Sequence, residues 1–311
     1  ITRPETPEDI SPAQNLSIPG PDGNSVIAVL RQPPGQGLFP VVIYLHGGRE
    51  SRTLDQLRGD SLTLPTMSRF LAAGYATVCA TFRSREKDIQ SPDAFRDCLA
   101  LVAAVKDLPA IDPQSVVIFG QSGGGDLALK LAGAVPLAAI AIEEPATVIY
   151  TGVIHRGFMD QTAVDQVTRS PKAFYNSELK RQTQENIRRI SCPIFFVHGD
   201  RQNINVFNNE IFLPELKAAG KQVTIVHYSD QGHGFSLGLL SPEAALKFFK
   251  DCDAFLRPCL ATQPAGVLAW PAQALAAKWT PLRLLSGPDS IGSPGGTHPL
   301  VADGDAIHAV W

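Results

Sequence analysis

Residues 115–132 read Ser115-Val-Val-Ile-Phe-Gly120-Gln-Ser122-Gly-Gly124-Gly-Asp-Leu-Ala-Leu-Lys-Leu-Ala132. An apolar, β-branched run is followed by Gly-x-Ser-x-Gly and then by a helical pattern. The chain must pass from a buried strand into a helix within about one residue, which forces the turning residue into a strained, left-handed backbone conformation. Glycines at 120 and 124 leave room for neighbouring chain to pass close by. The strain holds the Ser122 hydroxyl clear of the sheet, where a base and a substrate can reach it. The Gly123 amide begins the helix and points to the same place, so it is a candidate donor to an oxyanion.

Outward from this stretch, apolar runs alternate with helical patterns. Strands are predicted at 15–18, 26–30, 41–45, 75–82, 116–119, 137–142, 193–197 and 223–226. Helices are predicted from about 65 to 73, from Ser91-Pro-Asp onward with Phe95, Cys98, Leu99, Val102 and Val105 on one face, and from Ser241-Pro-Glu onward. Continuous apolar strands separated by helices predict an α/β fold with a mostly parallel sheet covered on both faces. Residues 1–13 read as an extended arm and 14–257 as the catalytic domain. Within it, 146–190 break the alternation. They hold Tyr150, His155, Phe158, Met159, Phe174 and Tyr175 and end in a polar helix. A small lid beside the pocket is the expectation for this insertion, with a helical excursion packed on the sheet edge as the alternative.

Four motifs together make the chain resemble an α/β-hydrolase, closest to the dienelactone-hydrolase and prolyl-oligopeptidase-like serine esterases. They are His46-Gly47-Gly48, Gly120-Gln-Ser122-Gly-Gly124, His198-Gly199-Asp200 and Asp230-Gln-Gly-His233-Gly-Phe235. The resemblance covers roughly residues 15–257. It implies Ser122 as nucleophile and the amides of Gly123 and Gly48 as the oxyanion hole. Arg49 stands where hormone-sensitive-lipase-type enzymes carry a third glycine, which argues against that subfamily. His233 is the expected general base: it lies between glycines on a loop after the last strand, in the chain order serine, acid, histidine. His46 is expected to shape the oxyanion region. No pair of histidines has metal-ligand spacing with a third ligand nearby, so neither a metal nor another cofactor is expected.

The acid departs from the pattern. The resembled families place it at the end of His-Gly-x-x-Asp, but here the run is His198-Gly199-Asp200-Arg201-Gln202, and Gln202 cannot carry the charge. Asp200 comes two residues early. The strand at 137–142 ends in Glu143-Glu144-Pro145-Ala146, and neutral-lipase-type hydrolases place their acid there, directly before Pro-Ala. Glu144 is therefore the expected acid, Asp200 the alternative, and Glu143 and Asp230 are outsiders. The leading function is a serine carboxylic-ester hydrolase acting on small to medium neutral acyl esters, with Tyr150, His155 and Phe158 as candidate substrate contacts. The alternatives are a prolyl-oligopeptidase-type peptidase, against which the short stretch before the first strand leaves no room for a propeller, and a catalytically dead hydrolase fold used for binding.

Composition bounds the rest. The 311 residues carry a net charge of −3 and no basic run, which argues against nucleic acid or an anionic membrane surface as partner. No 18-residue apolar stretch predicts a membrane span. The five cysteines are odd in number and scattered, as expected of free thiols rather than a disulfide framework. The first residue is Ile, so the numbered chain is read as trimmed, which leaves the compartment open between the cytoplasm and export after removal of a signal peptide. Residues 258–311 are a different material: all three tryptophans lie there, and 22 of the last 52 residues are Ala, Pro or Gly. They read as an appendage or a translated vector or out-of-frame segment, with an oligomerisation arm as the alternative.

Overall fold

Eight strands build one sheet: β1 (Gln14–Pro19), β2 (Ser25–Arg31), β3 (Phe39–Leu45), β4 (Ala76–Ala80), β5 (Ile111–Gln121), β6 (Ala139–Glu143), β7 (Ile194–Gly199) and β8 (Val223–Tyr228). The computed structural model describes residues 11–48, 51–83, 92–154, 161–200, 203–238, 241–264, 300–303 and 306–309. The spatial order is β1-β2-β4-β3-β5-β6-β7-β8. β1 and β2 pair antiparallel, as do β2 and β4; from β4 to β8 every neighbouring pair is parallel.

Alternate side chains of each strand enter opposite cores. In β3, Val41, Ile43 and Leu45 join one cluster, and Val42 and Tyr44 the other. In β5, Val116 and Ile118 join the first cluster, and Val117 and Phe119 the second. The first face is covered by the helices Pro92–Lys106, through Cys98, Leu101, Val102 and Val105, and Gly123–Ala132, through Leu127 and Leu131. The second is covered by the helices Pro65–Ala72, through Met67 and Phe70, and Pro242–Leu256, through Phe248, Cys252 and Leu256. Burial on both faces is why the central strands read as unbroken apolar runs.

The helix Leu54–Thr63 was not foreseen, because its burial is slight and its periodicity weak. Its signal is a capping box: the Thr53 hydroxyl accepts from the Gln56 amide while the Gln56 side chain accepts from the Thr53 amide. The insertion contains the helices Thr147–Tyr150, Gln161–Arg169, Pro171–Phe174 and Ser177–Arg189. Val148, Ile154 and Val167 pack with Ile204, Phe207 and Ile211, which follow β7, in a small separate core. Ile187 and Tyr150 instead join the main core on the first face. Part of the insertion is thus structural filling for the sheet.

Residues beyond 257 stay on this body for a short distance. After a turn at Arg257–Cys259, Leu260 is buried in the second-face core, and the Thr262 amide donates to the Ser115 hydroxyl (2.9 Å). Trp270–Trp311 form a second unit, in which Leu300–Asp303 and Ala306–Ala309 pair antiparallel. All five cysteines are free, and four of them are buried. Among the described residues no helix is long and apolar enough to cross a membrane.

Candidate active site

At the end of β5, Ser122 turns the chain with φ 53° and ψ −114° and becomes the cap of the helix Gly123–Ala132. A non-glycine residue with positive φ is strained by roughly 1–3 kcal/mol and needs surrounding structure to hold it. That structure is visible in hydrogen bonds. The Ser122 amide donates to Glu143 O (3.0 Å), and the Ser122 carbonyl accepts from the amides of Gly125 (3.0 Å) and Ala146 (2.9 Å). The Ser122 side chain makes no capping bond and is left for other work.

The glycines around Ser122 are required by packing. A Cβ on Gly120 would lie 2.4 Å from Gly124 O, and one on Gly124 would lie 2.0 Å from Leu45 O, where β3 passes over the elbow. The loop after β3 lies against the serine: a Cβ on Gly47 would meet Gln121 Oε1 at 2.6 Å and Ser122 Cβ at 3.0 Å. The next residue, Gly48, takes φ +87° and faces open space. The structure thus sets the backbone of Gly47 against Ser122 and begins a helix at Gly123. Gly123 is the first helical residue, so its amide is one of the donors a helix leaves without an intrahelical acceptor. Gly48 presents bare backbone. His46 packs at the base of this loop. It is buried, its Nδ1 lies 2.8 Å from Gly47 O, and its ring stacks on Phe82 at 4.6 Å. Burial lowers its pKa to about 4, so it stays neutral.

The base loop reaches the same place. After β8 the chain turns through Asp230 (φ 60°) and Gly234 (φ +84°) into the short helix Phe235–Leu237. Phe235 is buried and anchors the loop against Tyr228 (4.8 Å between ring centres). A Cβ on Gly234 would stand 3.4 Å from Gln121 Nε2, and Gln121 Oε1 accepts from the Gly47 amide (3.3 Å). The Gln121 side chain, on the residue before Ser122, thus bonds the loop after β3 and lies close to the loop that carries His233. His233 keeps an exposed face, while the protein around its ring lowers its pKa from 6.5. Among the described residues no hydrogen bond joins His233 to Ser122 or to a carboxylate; such bonds are often loose before substrate binds.

The two strand-end acids are both buried, and they diverge. Glu144 takes φ 45°, its amide donates to Val197 O (2.9 Å), and its Oε1 accepts from the Gly199 amide (2.6 Å). Burial raises its pKa to about 7, against the lowering effect of the Gly199 amide and the Asn205 side chain. Glu143 is completely buried, and its Oε1 accepts from the Gly234 amide (2.9 Å). Burial, and then the neighbouring Glu144, push its pKa to about 8. Each carboxyl keeps a buried Oε2 with no hydrogen-bond partner. Asp200 is exposed and lies 3.9 Å from His227 Nε2, on the edge strand β8.

Of the expected substrate contacts, Tyr150 is corrected to a core residue. It packs edge-on against Phe212 at 5.5 Å within the first-face core, which leaves it no surface for a ligand. His155 and Phe158 lie outside the described residues, as do Arg49 and Gln202. Sequence reasoning passed over Gln121 and dismissed Glu143. The signal for both was polar identity at the last residue of an otherwise apolar strand. Among the described residues no group of three or more His, Cys, Asp or Glu could hold a metal ion.

The prolyl oligopeptidase family model matches residues 79–263, which contain the elbow, both strand-end acids and the base loop. Several solved structures share the fold. Carboxyl esterase 2 of the mycorrhizal fungus Tuber melanosporum is 19% identical over 82% of this chain and 90% of its own, with a TM-score of 0.58. A thermostable carboxylesterase cloned from a metagenomic library is 18% identical over 83% and 92%, with a TM-score of 0.60. Brefeldin A esterase, a bacterial homologue of human hormone-sensitive lipase, is 19% identical over 83% and 80%, with a TM-score of 0.57. No curated protein sequence matches the chain.

Proposed function

The chain belongs to the prolyl oligopeptidase family and has the α/β-hydrolase fold, and from that premise we propose that it is a serine carboxylic-ester hydrolase working through an acyl-enzyme. The observation that carries the reading is Ser122 at φ 53°, its side chain making no capping bond, beside Gly47, on which a Cβ would lie 3.0 Å from Ser122 Cβ. In this reading His233 removes the Ser122 proton as the oxygen attacks the ester carbonyl. The amides of Gly123 and Gly48 hold the oxyanion, and His233 returns the proton to the departing alkoxide. Water then attacks the acyl-enzyme by the same route and regenerates Ser122. A neutral His233 suits a base at ordinary pH, and its lowered pKa keeps it neutral.

Glu144 is the acid of this proposal. Among the described residues its buried Oε2 has no hydrogen-bond partner, which supports an acceptor role, and Asp200 is exposed and lies 3.9 Å from His227. The named esterases among the structural neighbours favour an acyl ester as substrate, and we take a small-molecule ester of small to medium acyl length as the default class. The family match makes a peptidase the second reading. The test is direct. A fluorophosphonate is expected to label Ser122 alone, and Ser122→Ala to abolish both labelling and turnover of p-nitrophenyl esters. Labelling of another serine would overturn the assignment. Comparable rates on an aminoacyl p-nitroanilide would move the function to peptide cleavage.

A further inference from the structure

We propose that Glu143 is a positioning residue for the catalytic base: from the buried end of β6 it clamps the peptide that follows His233. This rests on His233 being the base of the esterase reading. The clamp is the 2.9 Å bond from the Gly234 amide to Glu143 Oε1, made across 91 residues of sequence. The loop's own backbone bonds near His233 are longer: Gln231 N to Tyr228 O and Phe235 N to Gly232 O are both 3.4 Å. Gly234 itself takes φ +84°, which glycine adopts without strain. Downstream, Phe235 fixes one end through its ring. On the backbone next to the imidazole, the Glu143 bond is the short contact to the sheet.

The choice of a carboxyl there is costly for folding. Glu143 is fully buried, and among the described residues no cation pairs with it. An apolar side chain of similar size would avoid burying a polar group there. What the carboxyl supplies, and an apolar residue cannot, is an acceptor for the Gly234 amide. A base displaced by about 1 Å can lose on the order of 10²-fold in rate, because proton transfer depends on aligned atoms.

The experiment compares Glu143→Gln with Glu143→Leu. Glutamine keeps an Oε1 acceptor and leucine removes it. With p-nitrophenyl butyrate, the Gln variant is expected to hold kcat within about threefold of wild type. The Leu variant is expected to lose about 10²-fold in kcat with KM changed less than about twofold. Exchange of the Gly234 amide with solvent, followed by NMR, is expected to stay slow in wild type and Gln. In Leu it should accelerate by about tenfold or more while the β6 amides stay protected. Glu143→Met repeats the comparison where Leu does not fold. Full kcat and slow Gly234 exchange in Leu or Met overturn the clamp. So does a Gln variant as slow as Leu, which would make Glu143 a charge partner of His233 itself. A wild-type protein inert to every ester would overturn the esterase reading, while the exchange measurement still decides the clamp.

Discussion

Replacing Glu143 with Gln is expected to change how stability depends on pH, and the size of the change follows from burial. The native pKa of Glu143 is raised from the ordinary 4.5 to about 8. The folded state therefore holds a proton that the unfolded chain gives up above about pH 4.5. Where the native state binds more protons, stability falls as pH rises. The contribution is fully present below pH 4.5, declines between 4.5 and about 8, and is gone above that. At 1.36 kcal/mol per tenfold in acidity, the wild type loses roughly 5 kcal/mol from this group across the window. Glu143→Gln does not titrate and escapes this loss. Urea unfolding of both proteins at pH 5 and pH 8.5 isolates the effect, because the other ionisable groups largely cancel in the difference. The Gln variant should gain several kcal/mol on the wild type between the two conditions. A stability difference that is the same at both pH values, within about 0.5 kcal/mol, would show that Glu143 is ionised in the native protein and refute the reasoning.

Glu144→Gln is expected to lower kcat several hundredfold, on the order of a triad-acid loss, with Asp200→Asn within about threefold of wild type; the reverse ranking in steady-state kinetics would return the acid to the loop after β7. If Glu144 is the acid, kcat/KM should rise with pH through about 7, where its carboxyl ionises, and Glu144→Gln should remove that limb of the profile. Gly47→Ala should reduce kcat, because its methyl would sit 2.6 Å from Gln121 Oε1 and 3.0 Å from Ser122 Cβ; unchanged turnover would mean that the loop yields freely. Ending the chain after residue 269 should leave melting temperature and activity intact, whereas ending it at 257 exposes the site that Leu260 fills and should cost about 2 kcal/mol, or about 4–8 °C in Tm.

The strands and the elbow were legible because each obeys one dominant rule. A strand buried on both faces must be apolar throughout, so β3 and β5 are visible in composition alone. The elbow needs glycine wherever backbone meets backbone, and Gly120 and Gly124 meet it at 2.4 and 2.0 Å. The acid was less legible because two adjacent carboxylates at a strand tip send their side chains in different directions, and sequence does not say which. The positive φ of Glu144 breaks the strand alternation between 143 and 144, so counting inward and outward positions fails there. Tyr150 was misread for a related reason: an aromatic residue in an insertion suggests a ligand contact, yet this one fills the core beside Phe212.

The strand-end pair Glu143-Glu144 ties these threads together. Two carboxyls with native pKa values of about 8 and about 7 are held where water cannot solvate them, at the tip of the strand beside the nucleophile. Among the described residues neither pairs with a cation; each is tied instead to a backbone amide of a different loop at the carboxyl edge of the sheet, Gly234 for one and Gly199 for the other. Near neutral pH Glu143 is mostly protonated, which spares the fold a buried charge, while Glu144 is partly ionised and so can serve as the acid of the proposed reading. A histidine whose own pKa is lowered gains most from such a partner, because the charge that forms on the ring during turnover is otherwise poorly solvated. The missing aspartate at residue 202 therefore does not require a dead enzyme. β6 can supply both the acceptor that orients the base and the bond that fixes its loop, provided that the two glutamates divide the work.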